Sequence, residues 1–212
     1  MQKRDKERVN VYLDGEYAFS LALIEAAKLR KGQQLTEDDI IALRADDAVS
    51  RAVDHAARFL SYRPRSTREI RDNLHKRFDD TVIDTAMSKL EALGYLDDHA
   101  FARYWVENRD TFKPRGTTAL RYELRQKGLS NHIIEETLSA YDNNDAAYRA
   151  AEAKARRLRG LDVMTFRRKM GSFLQRRGFN FDVIRDVLQQ LENELVAQDD
   201  QFFRPDDGES DN

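Results

Sequence analysis

The chain has 212 residues, of which 35% are charged and 41% apolar, with only 9 glycines and 3 prolines, a composition typical of a helical protein. Its formal net charge of −2 excludes a polycation, so any nucleic-acid function requires basic residues clustered on one part of the surface. The absence of cysteine excludes disulfides, thiolate catalysis and cysteine-based zinc sites.

The N-terminal sequence lacks a long apolar core, so we expect no signal peptide. No run approaches the roughly 18 apolar residues that a membrane-spanning helix needs. Together with the absence of cysteine, these features predict a cytoplasmic protein with no membrane association.

Residues 1–47 are predicted to form a β-hairpin followed by a short helix. Val9, Val11 and Leu13 alternate with polar positions, which is the period of a strand. The Asp14-Gly15 dipeptide that follows favours a tight hairpin turn. A longer helix then begins with Thr36 as its predicted N-cap.

The rest of the chain repeats with a period of about 50 residues, which is the signature of stacked modules. The repeat aligns Leu74 with Leu124 and Leu174, each preceded four residues earlier by an apolar residue on the same helix face. We therefore predict a mainly α protein with three tandem three-helix units in an elongated array, each sharing core with its neighbours. The predicted units span residues 48–94, 95–141 and 142–197, and an acidic disordered tail is predicted for residues 198–212.

A proline motif occurs at the same position in two units, as "RPRST" at residues 63–67 and "KPRGT" at residues 113–117. Proline ends the first helix of the unit, and Ser66 with Glu69 forms a capping box for the next. Thr117 is predicted to cap the equivalent helix of the second unit. This helix–helix corner is a sufficient structural explanation, but it leaves the basic residues unexplained. Their position beside a helix N-terminus favours an anionic partner; they are Arg63, Arg65, Lys113 and Arg115.

Residues 151–178 are the most basic segment, with nine lysines and arginines against two acidic residues. A solvated helix face would account for this composition. A surface for the DNA backbone or for an acidic protein groove would account for it equally. The candidate contact residues are Arg156, Arg157, Arg167, Arg168, Arg176 and Arg177.

No catalytic pattern is found in the sequence, so the protein is not expected to be an enzyme or to bind a metal or cofactor. Phe101, Tyr104 and Trp105 have the spacing of a core stripe rather than a base-stacking platform. The four histidines have no metal-ligand spacing, and the paired Asp97 and Asp98 are explained by capping at a helix start. No phosphate-binding loop, dinucleotide fingerprint or nucleophile elbow is present.

Three segments resemble the RecX family of recombination regulators: "RPRSTREIRDNL", "LEALGYLDDHAFARYWV" and "KPRGTTALRYELRQKGLSNHIIEETL". The resemblance covers about residues 62–138 closely and extends more weakly to the third unit and the hairpin. It implies a non-enzymatic modulator of the RecA recombinase, which binds along the groove of the RecA–DNA filament and usually inhibits strand exchange and ATP hydrolysis. We expect the protein to be a monomer, and its near-zero net charge argues against tight DNA binding by the free protein.

Two alternative functions remain open at this point. The segment "LRQKGLSNHIIEETL" has the form of a helix-turn-helix, although its second helix carries Glu135 and Glu136 and no lysine or arginine, which is unfavourable in a DNA groove. The repeats would equally suit a scaffold for an unrelated protein partner.

Overall fold

The computed structural model describes residues 8–204. Ten α-helices, one 3-10 helix and one two-stranded antiparallel sheet occur in this range. The prediction of a mainly α fold preceded by a hairpin is therefore confirmed. The chain divides into two compact parts, with the boundary between Asp97 and Asp98.

The hairpin consists of β1 (Arg8–Leu13) and β2 (Glu16–Ala22), which pair antiparallel with Leu13 opposite Glu16. Asp14 has a φ of 51° and Gly15 a φ of 89°, as a two-residue hairpin turn requires. Phe19 and Leu21 are buried on one face. The predicted strand and turn are confirmed, but the predicted alternation of β1 is interrupted by a register shift between Val11 and Tyr12.

The hairpin and the first helical unit share a long helix. The elements after the hairpin are α1 (Leu23–Ala26), α2 (Glu37–Ser61), α3 (Thr67–Leu74) and α4 (Asp80–Ala92). Thr36 caps α2 in a capping box with Asp39, as the sequence predicts. The predicted boundary between residues 47 and 48 lies inside α2. Asp47 instead fixes the hairpin, because its carboxylate accepts from the Ala22 amide at 2.7 Å and from Arg8 at 3.0 Å.

The second compact part contains the second and third helical units. The second unit consists of α5 (Asp98–Phe112), α6 (Thr117–Gln126) and α7 (Asn131–Ser139). The third consists of α8 (Asn143–Ala155), a 3-10 turn (Arg156–Leu158), α9 (Val163–Arg176) and α10 (Phe181–Gln198). Ser130 and Asn180 cap α7 and α10 through their side chains. Asp79 precedes α4 without a side-chain capping bond.

Each helical unit has its own hydrophobic core. The residues aligned by the repeat, Leu74, Leu124 and Leu174, are each 0% exposed. The apolar residues four positions before them are buried to the same extent. The spacing that defined the repeat is thus the spacing of equivalent core positions. Complete burial of one such side chain contributes about 1.5–3 kcal/mol.

The predicted disordered tail is wrong for residues 198–204, of which Gln198 is the last residue of α10. Phe202 is 6% exposed and packs edge-on against Phe166, and Phe203 packs against the same ring. The Gly160 amide donates to the Phe202 carbonyl, and the Arg204 amide donates to the Leu161 carbonyl. Burial of the Phe202 and Phe203 rings in the third core favours an ordered chain here. Residues 205–212 of the predicted tail lie outside the described range.

Candidate functional site

In the first proline corner, residues 63–67, the polar and charged groups are paired with residues close in sequence. The Ser66 hydroxyl accepts from the Glu69 amide at 3.2 Å, and the Glu69 carboxylate accepts from the Ser66 amide at 3.3 Å, which confirms the predicted capping box. Arg63 donates to the Glu69 carboxylate at 3.0 Å. The Arg65 guanidinium lies 3.9 Å from the centre of the Phe59 ring. Both arginines therefore support the corner itself.

The second corner begins its helix differently, and the predicted Thr117 cap is wrong. Gly116 occupies the N-cap position, and Thr117 is the first residue of α6. The Gly116 amide donates to the Arg177 carbonyl at 2.9 Å, and the Thr117 amide donates to the Asn143 side chain at 3.1 Å. The free amides at the start of α6 are thus hydrogen-bonded by groups of the third helical unit, and no side chain of the corner caps the helix.

Further hydrogen bonds and ion pairs make this corner the joint between the second and third helical units. The Tyr141 hydroxyl donates to the Arg115 carbonyl at 2.9 Å, and Arg177 donates to the Pro114 carbonyl at 3.1 Å. Arg149 bridges to the Asp110 carboxylate at 2.6 Å. Burial, with a smaller contribution from the nearby Arg115 charge, lowers the pKa of Arg177. Arg115 and Arg177 are therefore engaged within the joint.

The two basic residues of the second corner differ in their surroundings. The Arg115 Nε atom lies 3.8 Å from the Glu123 carboxylate, which also accepts from Trp105 and Arg109 at 2.8 Å each. Lys113 is exposed, and no ion pair forms with it among residues 8–204. Of the four corner residues singled out by the sequence, Lys113 is the most accessible to a partner.

Three of the six basic residues predicted in segment 151–178 lie on one surface of the third helical unit, together with two lysines. We call this surface the α8–α9 basic face and define it by Lys154, Arg157, Arg168, Lys169 and Arg176, which surround Phe173. Two clefts of about 430 and 310 Å³ lie along it and share Phe173 and Lys154. No aspartate or glutamate of the described chain lines either cleft. The positive charge of this face is therefore not neutralised locally.

Phe173 lies at the centre of the basic face. The Lys154 Nζ atom is 5.9 Å and the Arg177 guanidinium 4.6 Å from the centre of its ring. Phe112, which is 78% exposed, lines the smaller cleft beside Pro114. Cations beside accessible aromatic rings suit a ligand that has both negative charge and flat apolar groups.

Besides Arg177, which belongs to the joint, two more of the predicted basic residues lie outside this face. Arg167 donates to the Glu192 carboxylate at 2.7 Å, and this hydrogen bond raises the pKa of the guanidinium. Glu192 is only 7% exposed, so Arg167 compensates a buried charge. Arg156 lies exposed in the 3-10 turn and lines neither cleft.

Three members of the basic face, Lys154, Lys169 and Phe173, are not among the candidates named from the sequence. Lys169, Phe173 and Arg176 follow one another at intervals of four and three, which places them on one face of α9. That spacing was available as a signal. The contribution of Lys154 depends on the packing of α8 beside α9.

Metal-holding clusters and membrane-spanning helices are absent from residues 8–204. No group of three or more histidines, aspartates and glutamates in residues 8–204 is arranged to hold a metal ion. None of the helices in that range combines the length and the hydropathy needed to cross a bilayer. The Phe101 and Trp105 side chains pack in the second core, as predicted, whereas Tyr104 of the same predicted stripe is half-buried and is not among the residues of that core.

Comparison with protein families matches four family models along the chain. The model described as "Regulatory protein RecX N-terminal domain" matches residues 1–36. The models for the first, second and third three-helix domains of RecX match residues 52–90, 97–138 and 141–188.

Similar full-length proteins and a similar solved structure carry the same family name. The regulatory protein RecX of Bacillus licheniformis is 37% identical over 91% of this chain and 76% of its own length. That of Clostridium botulinum strain Alaska E43 is 32% identical over 91% of this chain and 94% of its own. A solved structure titled "Crystal structure of regulatory protein RecX" superposes with a TM-score of 0.74 and 28% identity, covering 89% of this chain and 95% of the solved one.

Proposed function

Because this chain belongs to the RecX family of regulatory proteins, we propose that it is a non-enzymatic regulator of the RecA recombinase. In this proposal the protein binds along the groove of the RecA–DNA filament and inhibits strand exchange and ATP hydrolysis. The partner follows from the family resemblance. The direction of regulation, inhibition, follows from the usual effect of family members on RecA. The resemblance also suggests that one monomer binds without a cofactor.

The proposed contact with filament DNA is based on the α8–α9 basic face. Lysine and arginine side chains that lack a local counterion gain most from an approaching phosphate backbone, because no existing ion pair has to be broken. Lys169 and Arg176 lie on one face of α9, and Lys154 approaches them from α8. The net charge of −2 for the whole chain agrees with weak DNA binding by the free protein.

The proposal is tested by adding the protein to a RecA strand-exchange and ATPase assay at several salt concentrations. We expect inhibition at less than one molecule per several RecA subunits. A double variant, Arg168→Gln with Arg176→Gln, removes two charges from the basic face and should weaken inhibition. Its apparent affinity should also fall less steeply with salt, by about 0.7–0.9 in the logarithmic slope for each phosphate that the variant no longer neutralises.

A matched control removes the same charge elsewhere in the second compact part. Arg103 on α5 and Arg185 on α10 are exposed and lie outside the clefts of the basic face. The Arg103→Gln and Arg185→Gln double variant should inhibit as the unmodified protein does.

Equal weakening by both double variants would remove the basic face from the proposal. No effect of the unmodified protein on either RecA activity would overturn the proposal itself, and a defined footprint on duplex DNA without RecA would favour a helix-turn-helix regulator.

A further inference from the structure

A second basic site lies in the first compact part, where the hairpin meets the first helical unit. A cleft of about 500 Å³ opens between β1, β2, α2 and the turn that follows α3. Four arginines line it, with a single acidic residue, Asp54. The arginines are Arg8, Arg51, Arg58 and Arg77.

Three separate elements bring these arginines together. Arg51, His55 and Arg58 follow one another at intervals of four and three on α2, so they share one helix face. Arg8 is the first residue of β1. Arg77 comes from the turn after α3, where its amide donates to the Leu74 carbonyl at 2.9 Å. The cluster is therefore produced by tertiary packing and is not visible as a basic run in the sequence.

The charges in the cleft are only partly compensated. Arg8 is bound to Asp47 at 3.0 Å. Arg58 donates to the main-chain carbonyl of Asp54 at 3.4 Å, which leaves its charge without a carboxylate. Arg51 and Arg77 form no ion pair with any part of the chain that the structure describes. Like charges held close together are mutually unfavourable, so an anion in this cleft would relieve repulsion as well as gain attraction.

The shape and the walls of the cleft select among anions. The rings of His55 and Phe78 line it, with their centres 6.2 Å apart, and Asn73 holds His55 through a 2.9 Å hydrogen bond. A guanidinium presents a planar fork of donors that matches the oxygens of a phosphate. The volume lies in the range of sites for small ligands, about 300–1,000 Å³.

We propose that this cleft binds the phosphate group of a nucleotide, with the base or sugar against the His55 and Phe78 rings. The nucleotide is either free or part of a nucleic-acid strand, since the same phosphate chemistry serves both. This site is separate from the α8–α9 basic face and does not depend on the proposed action on RecA.

The experiment follows the His55 imidazole resonance by NMR in the full chain, with its signal assigned from a His55→Gln variant. The probes are inorganic phosphate, dAMP, a deoxyadenosine control without phosphate, and a ten-residue oligothymidylate. We expect dAMP to shift the His55 signal in a saturable manner while the His132 signal stays in place, and deoxyadenosine to have no effect. Binding of dAMP but not of the oligonucleotide identifies a free nucleotide as the ligand, and tighter binding of the oligonucleotide identifies a strand.

A pair of adjacent variants separates a specific site from general electrostatic attraction. Arg77→Gln and Lys76→Gln remove the same charge from the same exposed turn, but only Arg77 lines the cleft. Arg77→Gln should weaken dAMP binding about tenfold, the order expected when one charge-assisted hydrogen bond is removed, and Lys76→Gln should change it less than twofold. Arg51→Gln, on a different element, should reproduce the effect of Arg77→Gln. Equal weakening by Arg77→Gln and Lys76→Gln, or an unmoved His55 signal with every phosphate probe, would overturn the proposal.

Discussion

The two proline corners have nearly the same sequence and the same backbone conformation, yet they have different structural roles. Ser66 has φ −71° and ψ 157°, and Gly116 has φ −72° and ψ 158°. Ser66 caps its own helix, whereas Gly116 lies against the third helical unit. The glycine is therefore not required for its conformation, because serine adopts the same one.

Gly116 is required because it has no side chain. A Cβ atom at this position would lie 2.1 Å from the Gly178 carbonyl oxygen. Gly178 has a φ of 86°, and a Cβ atom there would lie 2.4 Å from Ala119. One motif thus serves as a self-contained helix start in the first unit and as a joint with the third unit in the second. The residue at the equivalent position, Ser66 or Gly116, determines which role the motif has.

Substitution of Gly116 should have the largest effect. In Gly116→Ser the added atoms meet main-chain atoms of Gly178, which can move only with the joint, so we expect a loss of about 3 kcal/mol or more in the free energy of unfolding. Denaturant unfolding measures it, and NMR should show shifted signals for α6 and α9. The reverse exchange, Ser66→Gly, should cost only a few tenths of a kcal/mol. Similar losses for the two exchanges would contradict the distinction between the corners.

Removal of the Ser66 hydroxyl should have the next largest effect. Ser66→Ala deletes the acceptor for the Glu69 amide in a fully buried position, and deletion of an N-cap typically costs about 1 to 2 kcal/mol. Thr117→Ala, at the position that the sequence suggested as the second cap, should cost less because its side chain does not cap α6. Comparison of the two unfolding curves checks this, and an equal loss would restore Thr117 as a cap.

The second corner should also be sensitive to alkaline pH. Burial, with the nearby Asp110 charge, raises the pKa of Tyr141 above its usual value of 10.0, and its hydroxyl donates to the Arg115 carbonyl. A raised tyrosine pKa stabilises the fold fully below pH 10, and this contribution is lost as pH rises through the folded pKa. The first unit is one residue shorter between its aligned leucine and the helix that follows, so Leu90 corresponds to Tyr141 and supplies no phenol to the first corner.

Tyr141→Phe tests the pH prediction. At neutral pH the loss of one hydrogen bond should cost about 1 kcal/mol. This difference from the unmodified protein should shrink as pH rises above 10, because the tyrosine ionises in the unfolded chain before it ionises in the folded one. An ultraviolet titration should show that the phenol missing from the variant is one that ionises above the ordinary range. A stability difference independent of pH would contradict the assignment.

The smallest effects are expected for the first basic residue of each corner. Arg63 and its partner Glu69 have side chains 32% and 18% exposed, so Arg63→Gln should cost less than about 1 kcal/mol. Lys113→Gln should change the free energy of unfolding by less than about 0.5 kcal/mol. If Lys113 contacts filament DNA, its variant should still lower the salt dependence of RecA inhibition. A larger stability loss for Lys113→Gln than for Arg63→Gln would reverse the comparison.

The fold was largely predictable, whereas the sites were not. Asp14-Gly15, Thr36 and the aligned leucines are local signals, since turn geometry, capping and helix-face burial depend on residues close in sequence. Basic composition drew attention to Arg168 and Arg176, which the structure places on the α8–α9 basic face. It gave the same weight to Arg167, because the sequence does not show that Glu192 lies beside it.

By itself the sequence determined the secondary structure and the repeated cores, because hydrophobic periodicity and helix capping act over a few residues. Only the tertiary structure decided which arginines face solvent without a counterion, which compensate buried carboxylates, and which hold the joint between the second and third helical units. These roles depend on pairs such as Gly116 with Gly178 and Arg51 with Arg77, whose members are brought together by packing. The energy of a charge or of an added methyl group is set by neighbours distant in sequence.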